Sequence, residues 1–403
     1  MKPSPRSLRG LDWFVFFVAD VLTGFGPFVA VYLTSQRWTQ LDIGLVLTTG
    51  TLVALAGQVP AGALVDGAPS KRLAAGCAMV AIGASALALA AWPIFPVVQA
   101  AAVLQAAAAC VLSPAIAAIS LGLVGHAAMG ERVGRNARFA SLGVGLMAVA
   151  MGATGYFISN RAVFFVTAAF VIPALLALAV IREAEIDRDR AHGGINERID
   201  GARPHRRASL GSLMRRRPLV TFAACAMLFQ LANAAMLPLV ASTVTTRSGQ
   251  WATIVIAACI IVPQVMVAVV SPWVGRSGQR YGRRPLLLLG FAALPIRAIL
   301  LAAVTDPYLL VAVQLLDGIA ASVFGVMVPL IVADIARGTG RYNLSLGVVG
   351  MAGGIGASLS TTLAGYASDL FGTPVAFLGL AAIAAAGLAL VWGLMPETRP
   401  GQP

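Results

Sequence analysis

Three ionisable residues stand inside long apolar stretches of this chain: Asp20, Arg297 and Asp317. A charged side chain at membrane depth is costly, so such residues are candidates for functional sites. No basic residue shares the stretch of Asp20, and burial favours the neutral form of a carboxylic acid. Asp20 could therefore carry a coupling proton or meet a cationic substrate. A structural acid, hydrogen-bonded to a neighbouring helix, is the alternative.

Arg297 and Asp317 lie on consecutive apolar stretches that a tight Thr305-Asp306-Pro307 turn joins. Counted from the outer ends of their helices, at ~1.5 Å of rise per residue, they are ~10 and ~13 Å deep. A buried ion pair is therefore feasible. Because an arginine partner favours the charged carboxylate, we expect a structural or gating pair, with direct substrate contact as the alternative.

Neutral amide side chains in the apolar stretches could line a cavity. Gln230 and Asn233 are three residues apart and so share one face of a helix. A helix–helix hydrogen bond explains each amide as well as a ligand contact does. The candidates are Gln58, Gln105, Gln230, Asn233, Gln264 and Gln314.

The elements that must position these residues are membrane-spanning helices. Apolar residues make up 59% of the 403-residue chain and charged residues only 11%, a composition outside the range of soluble domains. An α-helix needs ~20 apolar residues to cross a bilayer, and twelve stretches provide them. These spans 1 to 12 lie at roughly 11–34, 43–65, 73–92, 95–124, 139–159, 162–181, 218–242, 251–274, 285–304, 308–333, 343–367 and 374–395.

The basic residues between these spans fall on alternate sides. With both termini on one side, that side holds 25 of the 29 Lys and Arg residues. Because positive loops stay inside the cell, we predict cytoplasmic termini. An Arg- and Ala-rich, bacterial type of composition indicates the inner (plasma) membrane. The net charge of +13 suits loops that face anionic lipid headgroups, so nucleic acid is not expected as a partner.

The longest polar stretch, residues 182–217, separates two halves of six spans each, residues 1–181 and 218–403. It contains ten Arg and six acidic residues and little that could form a core. This composition predicts a mobile cytoplasmic linker.

The loops after spans 2 and 8 look like copies of one motif. A Gly at a helix end lets another helix approach closely, and Asp66 could meet the positive N-terminal end of a neighbouring helix or a loop arginine. A turn with charges that only set the topology is the alternative. Contacts formed in only one arrangement of the halves can bias a two-state equilibrium. The motif residues are Gly62, Asp66, Lys71 and Arg72 in the first copy, and Gly275, Gln279, Arg280, Gly282, Arg283 and Arg284 in the second.

With two six-span halves and this repeated loop, the chain resembles the major facilitator superfamily along essentially its whole length. The loop of that superfamily reads Gly-x-x-x-Asp-Arg-x-Gly-Arg-Arg; here Gln279 replaces one acid and Pro69 one Gly. The resemblance implies an all-α integral membrane protein with two pseudo-symmetric six-helix bundles. It also implies that Asp66, Lys71 and Arg72 form a latch, which holds the cytoplasmic side shut in the outward-facing state.

The resemblance further implies a secondary transporter that moves a small molecule by alternating access, coupled to protons through Asp20. Proton-coupled efflux is our first interpretation, although span 5 reads Gly152-Ala-Thr-Gly155 without the proline of typical drug exporters. Proton-coupled uptake of a metabolite or metal chelate is the second, and a non-transporting receptor or scaffold is a remote third. The spans contain no histidine and the chain no phosphate-binding Gly-x-x-x-x-Gly-Lys-Ser/Thr motif. We therefore expect a monomeric non-enzyme in the lipid bilayer, without cofactor or metal.

Overall fold

The computed structural model describes residues 3–23, 29, 32–193, 210–248 and 252–399. Nearly all of these residues are helical, and the described part contains no strand. The side chain of Asp20, which lies on the first helix, is outside the described part.

The longer helices follow the predicted spans. In chain order, the α-helices of the described part are α1 (Pro5–Thr23), α2 (Gln40–Gly67), α3 (Lys71–Ala91), α4 (Phe95–Phe157), α5 (Ala162–Val180), α6 (Arg188–Ala191), α7 (Leu210–Met214), α8 (Arg217–Asn233), α9 (Met236–Ser248), α10 (Ala252–Tyr281), α11 (Arg283–Ala303), α12 (Pro307–Ile335), α13 (Tyr342–Phe371) and α14 (Thr373–Leu394). Two of them, α6 and α7, are short and lie in the predicted linker. A short 3-10 helix, Glu183–Glu185, precedes α6.

Ten helices in the described part are long and apolar enough to cross a membrane. One of them, α4, has 63 residues and would extend ~95 Å at ~1.5 Å per residue, far beyond a ~30 Å hydrocarbon core. Gly125 interrupts α4 with φ 69° and ψ 177°, a conformation that a residue without Cβ adopts readily. Each arm of α4 is long enough for one crossing. The all-α membrane fold is confirmed, and the count of twelve spans stays a prediction.

The chain divides into two compact units, and each takes a short segment from the other half of the sequence. The first unit comprises Met1–Arg132, Phe139–Arg207 and Ala336–Gly347. The second comprises Val133–Arg138, Ala208–Ile335 and Val348–Pro403. The start of α13 therefore packs within the first unit. The predicted division at residues 182–217 stays a prediction, and it does not include this exchange of segments.

The core of the first unit includes residues that the sequence assigned to a mobile linker. Ile186 and Ala191 are buried in the same apolar cluster as Phe14, Met79 and Leu178. The prediction of a mobile segment is therefore wrong for residues 183–193. Composition alone suggested mobility, but two apolar side chains among the charges are enough to anchor this segment. The rest of the linker up to residue 209 lies outside the described residues.

The core of the second unit is built around aromatic and small residues. Phe229 stacks on Phe324 with ring centroids 3.9 Å apart, and Phe291 meets Phe229 edge-on at 5.3 Å. Outside these cores, large apolar side chains such as Val269 and Trp392 are exposed. Exposed apolar surface of this extent suits contact with lipid tails.

Candidate functional site

A cluster of polar side chains lies inside the second unit, where Arg297 of α11 is the central residue. Arg297 is 1% exposed. Its Nη1 atom donates to Oδ1 of Asp317 on α12 and to Oδ1 of Asn233 on α8, both at 2.6 Å. Its Nη2 atom donates to Oε1 of Gln314, one turn from Asp317, at 2.7 Å. These four residues, called here the Arg297 cluster, connect three helices.

The Arg297 cluster balances a buried charge. Removing one partner of a buried ion pair leaves an uncompensated charge at a cost of ~3–5 kcal/mol, so Arg297 and Asp317 depend on each other. The Asp317 side chain is 19% exposed, whereas that of Arg297 is 1% exposed. The carboxylate is thus the charged group of the pair that a ligand or water could reach.

The structure brings four of the predicted site residues together and leaves others apart. Gln230 lies one turn before Asn233 on α8, and its side chain passes Gly353 of α13. Gln264 is half-buried on α10. Gln58 lies on α2 in the first unit, where its backbone carbonyl faces Gly347. Nothing in the described part bears on the side chain of Asp20.

The first copy of the repeated loop places Asp66 against the start of α13. Asp66 is fully buried. Its Oδ1 atom accepts hydrogen bonds from the backbone N (3.2 Å) and Nδ2 (2.8 Å) of Asn343, and its Oδ2 atom accepts one from the backbone N of Leu344 (2.9 Å). These backbone groups belong to the N-terminal turn of a helix, where the dipole favours a carboxylate. Asp66 and the first turn of α13 are called here the Asp66 junction.

Two glycines allow α2 and α13 to approach closely at this junction. A Cβ atom on Gly62 would lie 2.2 Å from the carbonyl oxygen of Asn343. A Cβ atom on Gly347 would lie 2.3 Å from the carbonyl oxygen of Gln58. Both contacts are with backbone, which cannot swing aside as a side chain can. The close approach that the sequence predicted for Gly62 is therefore present.

The two basic residues of the first copy bind elsewhere. Lys71 is buried, and its Nζ atom donates to carbonyl groups at the end of α2, including that of Ala68 at 2.8 Å. A cation suits the negative end of a helix. Arg72 donates to the carbonyl of Ile181, just after α5, and its Nε atom is 3.9 Å from Oε2 of Glu183. Both side chains thus fix helix ends in the first half of the chain.

The second copy is fastened by a carboxylate that follows α14. Glu397 accepts from the backbone N of Arg283 at 2.8 Å and of Arg284 at 3.0 Å, so it caps the start of α11. Gly282 precedes this helix with φ 104°, and a Cβ atom there would lie 2.5 Å from Oε2 of Glu397. The Arg283 side chain also binds Asp334 at 3.0 Å.

The environment of Glu397 shows why it works as a cap. Burial acts to raise the pKa of Glu397, but backbone N–H groups of Arg283, Arg284, Arg399 and Thr398 donate to it and hold the pKa below its ordinary value. The carboxylate is therefore charged at neutral pH.

Glu183 and Glu397 were missed by reasoning from the sequence. Glu183 accepts from Oγ of Ser70, the N-cap residue of α3, at 2.9 Å. The separation between Ser70 and Glu183 is 113 residues, as it is between Arg284 and Glu397. This equal spacing was a detectable signal, because each acid follows the last helix of its half. Each acid also faces the start of the helix that follows the loop motif, which is α3 in the first half and α11 in the second.

A sequence model described as Major Facilitator Superfamily matches residues 13–270 and 248–403 of this chain. The chain belongs to the Major Facilitator Superfamily. It is accordingly a multi-pass membrane protein of a family that transports small molecules, as the repeated loop indicated.

Relatives in this superfamily include proteins of two bacteria. The chain is 40% identical over 401 residues to an uncharacterized MFS-type transporter of Mycobacterium tuberculosis, covering 98% of this chain and 94% of the relative. It is also 28% identical over 106 residues to the class B tetracycline resistance protein of Escherichia coli, covering 26% of each.

Solved structures of the superfamily share the fold over nearly the whole chain. The transporter FucP in its outward conformation gives a TM-score of 0.76 at 15% identity, with 96% of this chain and 98% of FucP covered. The proton:xylose symporter XylE gives 0.73 at 13% identity, with 98% and 96% covered.

Proposed function

We propose that this transporter exports a small, largely uncharged molecule in exchange for protons. In this proposal the Arg297 cluster forms the polar wall of the binding site in the second unit, and Asp20 binds the coupling proton. The Asp66 junction holds the predicted cytoplasmic side shut during one part of the cycle.

The Arg297 cluster is the observation that carries this proposal. Polar side chains within membrane-spanning helices are costly and usually serve function, and here four of them converge from three helices. Because the carboxylate of Asp317 balances the charge of Arg297, the pair adds little net charge to the site. A ligand would meet the accessible side of Asp317 and the partly exposed amide of Asn233, which suits a neutral molecule with hydrogen-bond donors.

The two carboxylates have different roles in this proposal. Asp317 has an arginine partner at 2.6 Å, which favours its charged form and suits it to binding and gating. Asp20 shares its predicted span with no basic residue, which suits it to exchange a proton. Since exchange needs proton and substrate to bind in alternation, we assign these tasks to different groups.

Export is the direction that we propose. The relative named as a tetracycline resistance protein supports it, because export is one way in which a membrane protein gives resistance. Uptake is the second candidate, since the fold is also that of a proton:xylose symporter.

The test is transport by the purified protein in lipid vesicles under an imposed pH gradient, screened with neutral and weakly basic compounds. We expect solute and protons to move in opposite directions. Movement in the same direction would replace export with uptake. If the protein is folded and correctly inserted but moves none of the compounds against its concentration gradient, proton coupling is overturned.

Variants then separate the two carboxylates. Asp20→Asn should abolish transport driven by the pH gradient but keep exchange of substrate across the membrane. Asp317→Asn should weaken both. The matched control is Asp306→Asn. Asp306 caps the start of α12, where it accepts hydrogen bonds from the backbone N of Tyr308 and Leu309. Its replacement should leave both pH-driven transport and substrate exchange unchanged. Equal effects of all three substitutions would contradict the assignment.

A further inference from the structure

The segment before the undescribed part of the linker is fastened to the Asp66 junction. We call residues 186–193 the strap. The carbonyl oxygen of His192 accepts from the backbone N of Tyr342 at 3.1 Å, and that of Gly193 accepts from Gly338 at 2.7 Å. At its other end, the backbone N of Asp187 donates to the carbonyl of Gly122 at 3.1 Å. The strap thus joins the first half of the chain to the start of α13.

The fit of the strap is close at both ends. Gly193 has φ 80°, and a Cβ atom there would lie 3.2 Å from Cβ of Tyr342. A Cβ atom on Gly122 would lie 2.7 Å from Cγ2 of Ile186. Ala191 is fully buried, and its carbonyl oxygen accepts from Nδ2 of Asn343 at 3.3 Å. The strap therefore holds the same Asn343 amide that Asp66 holds.

The side chain of His192 faces the buried carboxylate. Its Nδ1 atom lies 3.9 Å from Oδ1 of Asp66, with the imidazole 16% exposed. Nδ1 of His192 and Oδ1 of Asn343 are buried and have no hydrogen-bond partner in the described part of the chain. A doubly protonated imidazole would provide a donor at Nδ1 and a positive charge beside Asp66. A neutral ring provides no such charge.

Other charged and titratable groups surround this position. Lys71, on the neighbouring start of α3, binds the carbonyl of Asp66 at 3.4 Å and those of Val65 and Ala68. Arg190 on the strap is paired with Asp187 at 3.3 Å. From α13, Tyr342 borders the strap, and Arg341 precedes Tyr342 in the chain.

We propose that His192 is a proton-binding site of the cytoplasmic gate, and that its protonation fastens the strap to the Asp66 junction. A proton bound more tightly by the formed junction than by the opened one must stabilise the formed junction. The junction is then tighter when the imidazole is protonated, at lower pH, and looser when it is neutral, at higher pH. If each cycle of export delivers protons to the cytoplasm, acid there slows gate opening and limits further exchange.

The test uses hydrogen exchange of the backbone amides of Tyr342, Asn343 and Leu344 in the full-length protein in nanodiscs. Rates at pH 6 and pH 8 are corrected for the intrinsic effect of pH. We expect up to ~10-fold greater protection at the lower pH, which corresponds to ~1.4 kcal/mol of added stability of the junction. His192→Gln should remove this difference, and His205→Gln, a second histidine of the linker, should keep it.

His192→Arg adds a constant charge and should give high protection at both pH values. Because the chain has only three histidines, NMR of protein with labelled imidazole rings can follow the protonation of each ring. The signal that is missing from His192→Gln identifies His192. Unchanged protection between the two pH values, or a pH effect that persists in His192→Gln, would overturn the proposal. Neither measurement needs a substrate, so failure here is distinct from failure of the proposed function.

Discussion

Replacing Asp66 by Asn should open the junction between α2 and α13. The carboxylate is fully buried and accepts three hydrogen bonds from Asn343 and Leu344. Asparagine has a similar shape but offers one acceptor oxygen and no charge. Its amide group would direct N–H donors at the N–H donors of a helix start. The junction should therefore lose some of its hydrogen bonds and also the favourable interaction between the carboxylate charge and the helix dipole.

The size of this effect follows from the lost contacts. Hydrogen bonds to charged groups contribute ~1.5–3 kcal/mol each, and a carboxylate at a helix N-terminus contributes ~0.3–2 kcal/mol. If asparagine keeps one acceptor, the junction loses about 2–4 kcal/mol of stability. At ~1.4 kcal/mol per factor of ten, this shifts the equilibrium ~30- to 1000-fold toward the open junction.

Hydrogen exchange measures this shift directly, because the amides of Asn343 and Leu344 are the groups that Asp66 protects. Their protection should fall by the factor given above, while that of the buried helix α3 should stay unchanged. The matched control is Asp42→Asn, the same change at the exposed start of the same helix. Normal protection of Asn343 in correctly inserted Asp66→Asn protein would refute the role of the carboxylate.

Three further predictions test the packing and the charges. Gly62→Ala should open the same junction, measured by the same exchange, because its Cβ would lie 2.2 Å from the carbonyl oxygen of Asn343. Glu397→Gln should lower stability by about 1–2 kcal/mol. Since the pKa of Glu397 is below its ordinary value, this contribution is constant above pH ~5 and is lost as the pH falls through the folded-state pKa, which thermal unfolding against pH can check. Arg297→Gln should cost about 3–5 kcal/mol, and adding Asp317→Asn should recover most of it in thermal unfolding without restoring transport. A double variant as unstable as Arg297→Gln would contradict the charge balance.

Much of the fold could be predicted from apolar length and charge alone. Lipid leaves a spanning backbone few alternatives to the helix, so the all-α fold and superfamily followed from the sequence. Counting depth along two consecutive helices also indicated that Arg297 and Asp317 could meet, and the structure places them 2.6 Å apart. Such counting succeeds because a helix has a fixed rise and a tight turn makes its neighbours adjacent.

The contacts between distant segments could not be predicted in this way. Nothing local to Glu183 or Glu397 shows which helix start each will cap, and only their equal spacing from the two loops gives a signal. The strap was missed because its charged composition concealed the two apolar residues, Ile186 and Ala191, that enter the core. Composition averages over a segment, whereas anchoring depends on single positions.

The two copies of the loop motif share a frame but differ in the part that can switch. In both copies, a Glu after the last helix of the half binds the start of the helix that follows the loop, which is α3 or α11. Only the first copy keeps the acid of the motif, and Asp66 uses it on backbone groups of α13, from the other half of the sequence. The second copy has Gln279 there, and its Arg283 binds Asp334 within the second unit. If the start of α13 moves away from Asp66 during transport, as we propose, loss of this carboxylate should change the equilibrium between the two states. Loss of the pair between Arg283 and Asp334 should change stability instead. We therefore expect the gating role that we propose to differ between the two loops, because of one substitution in a repeated motif.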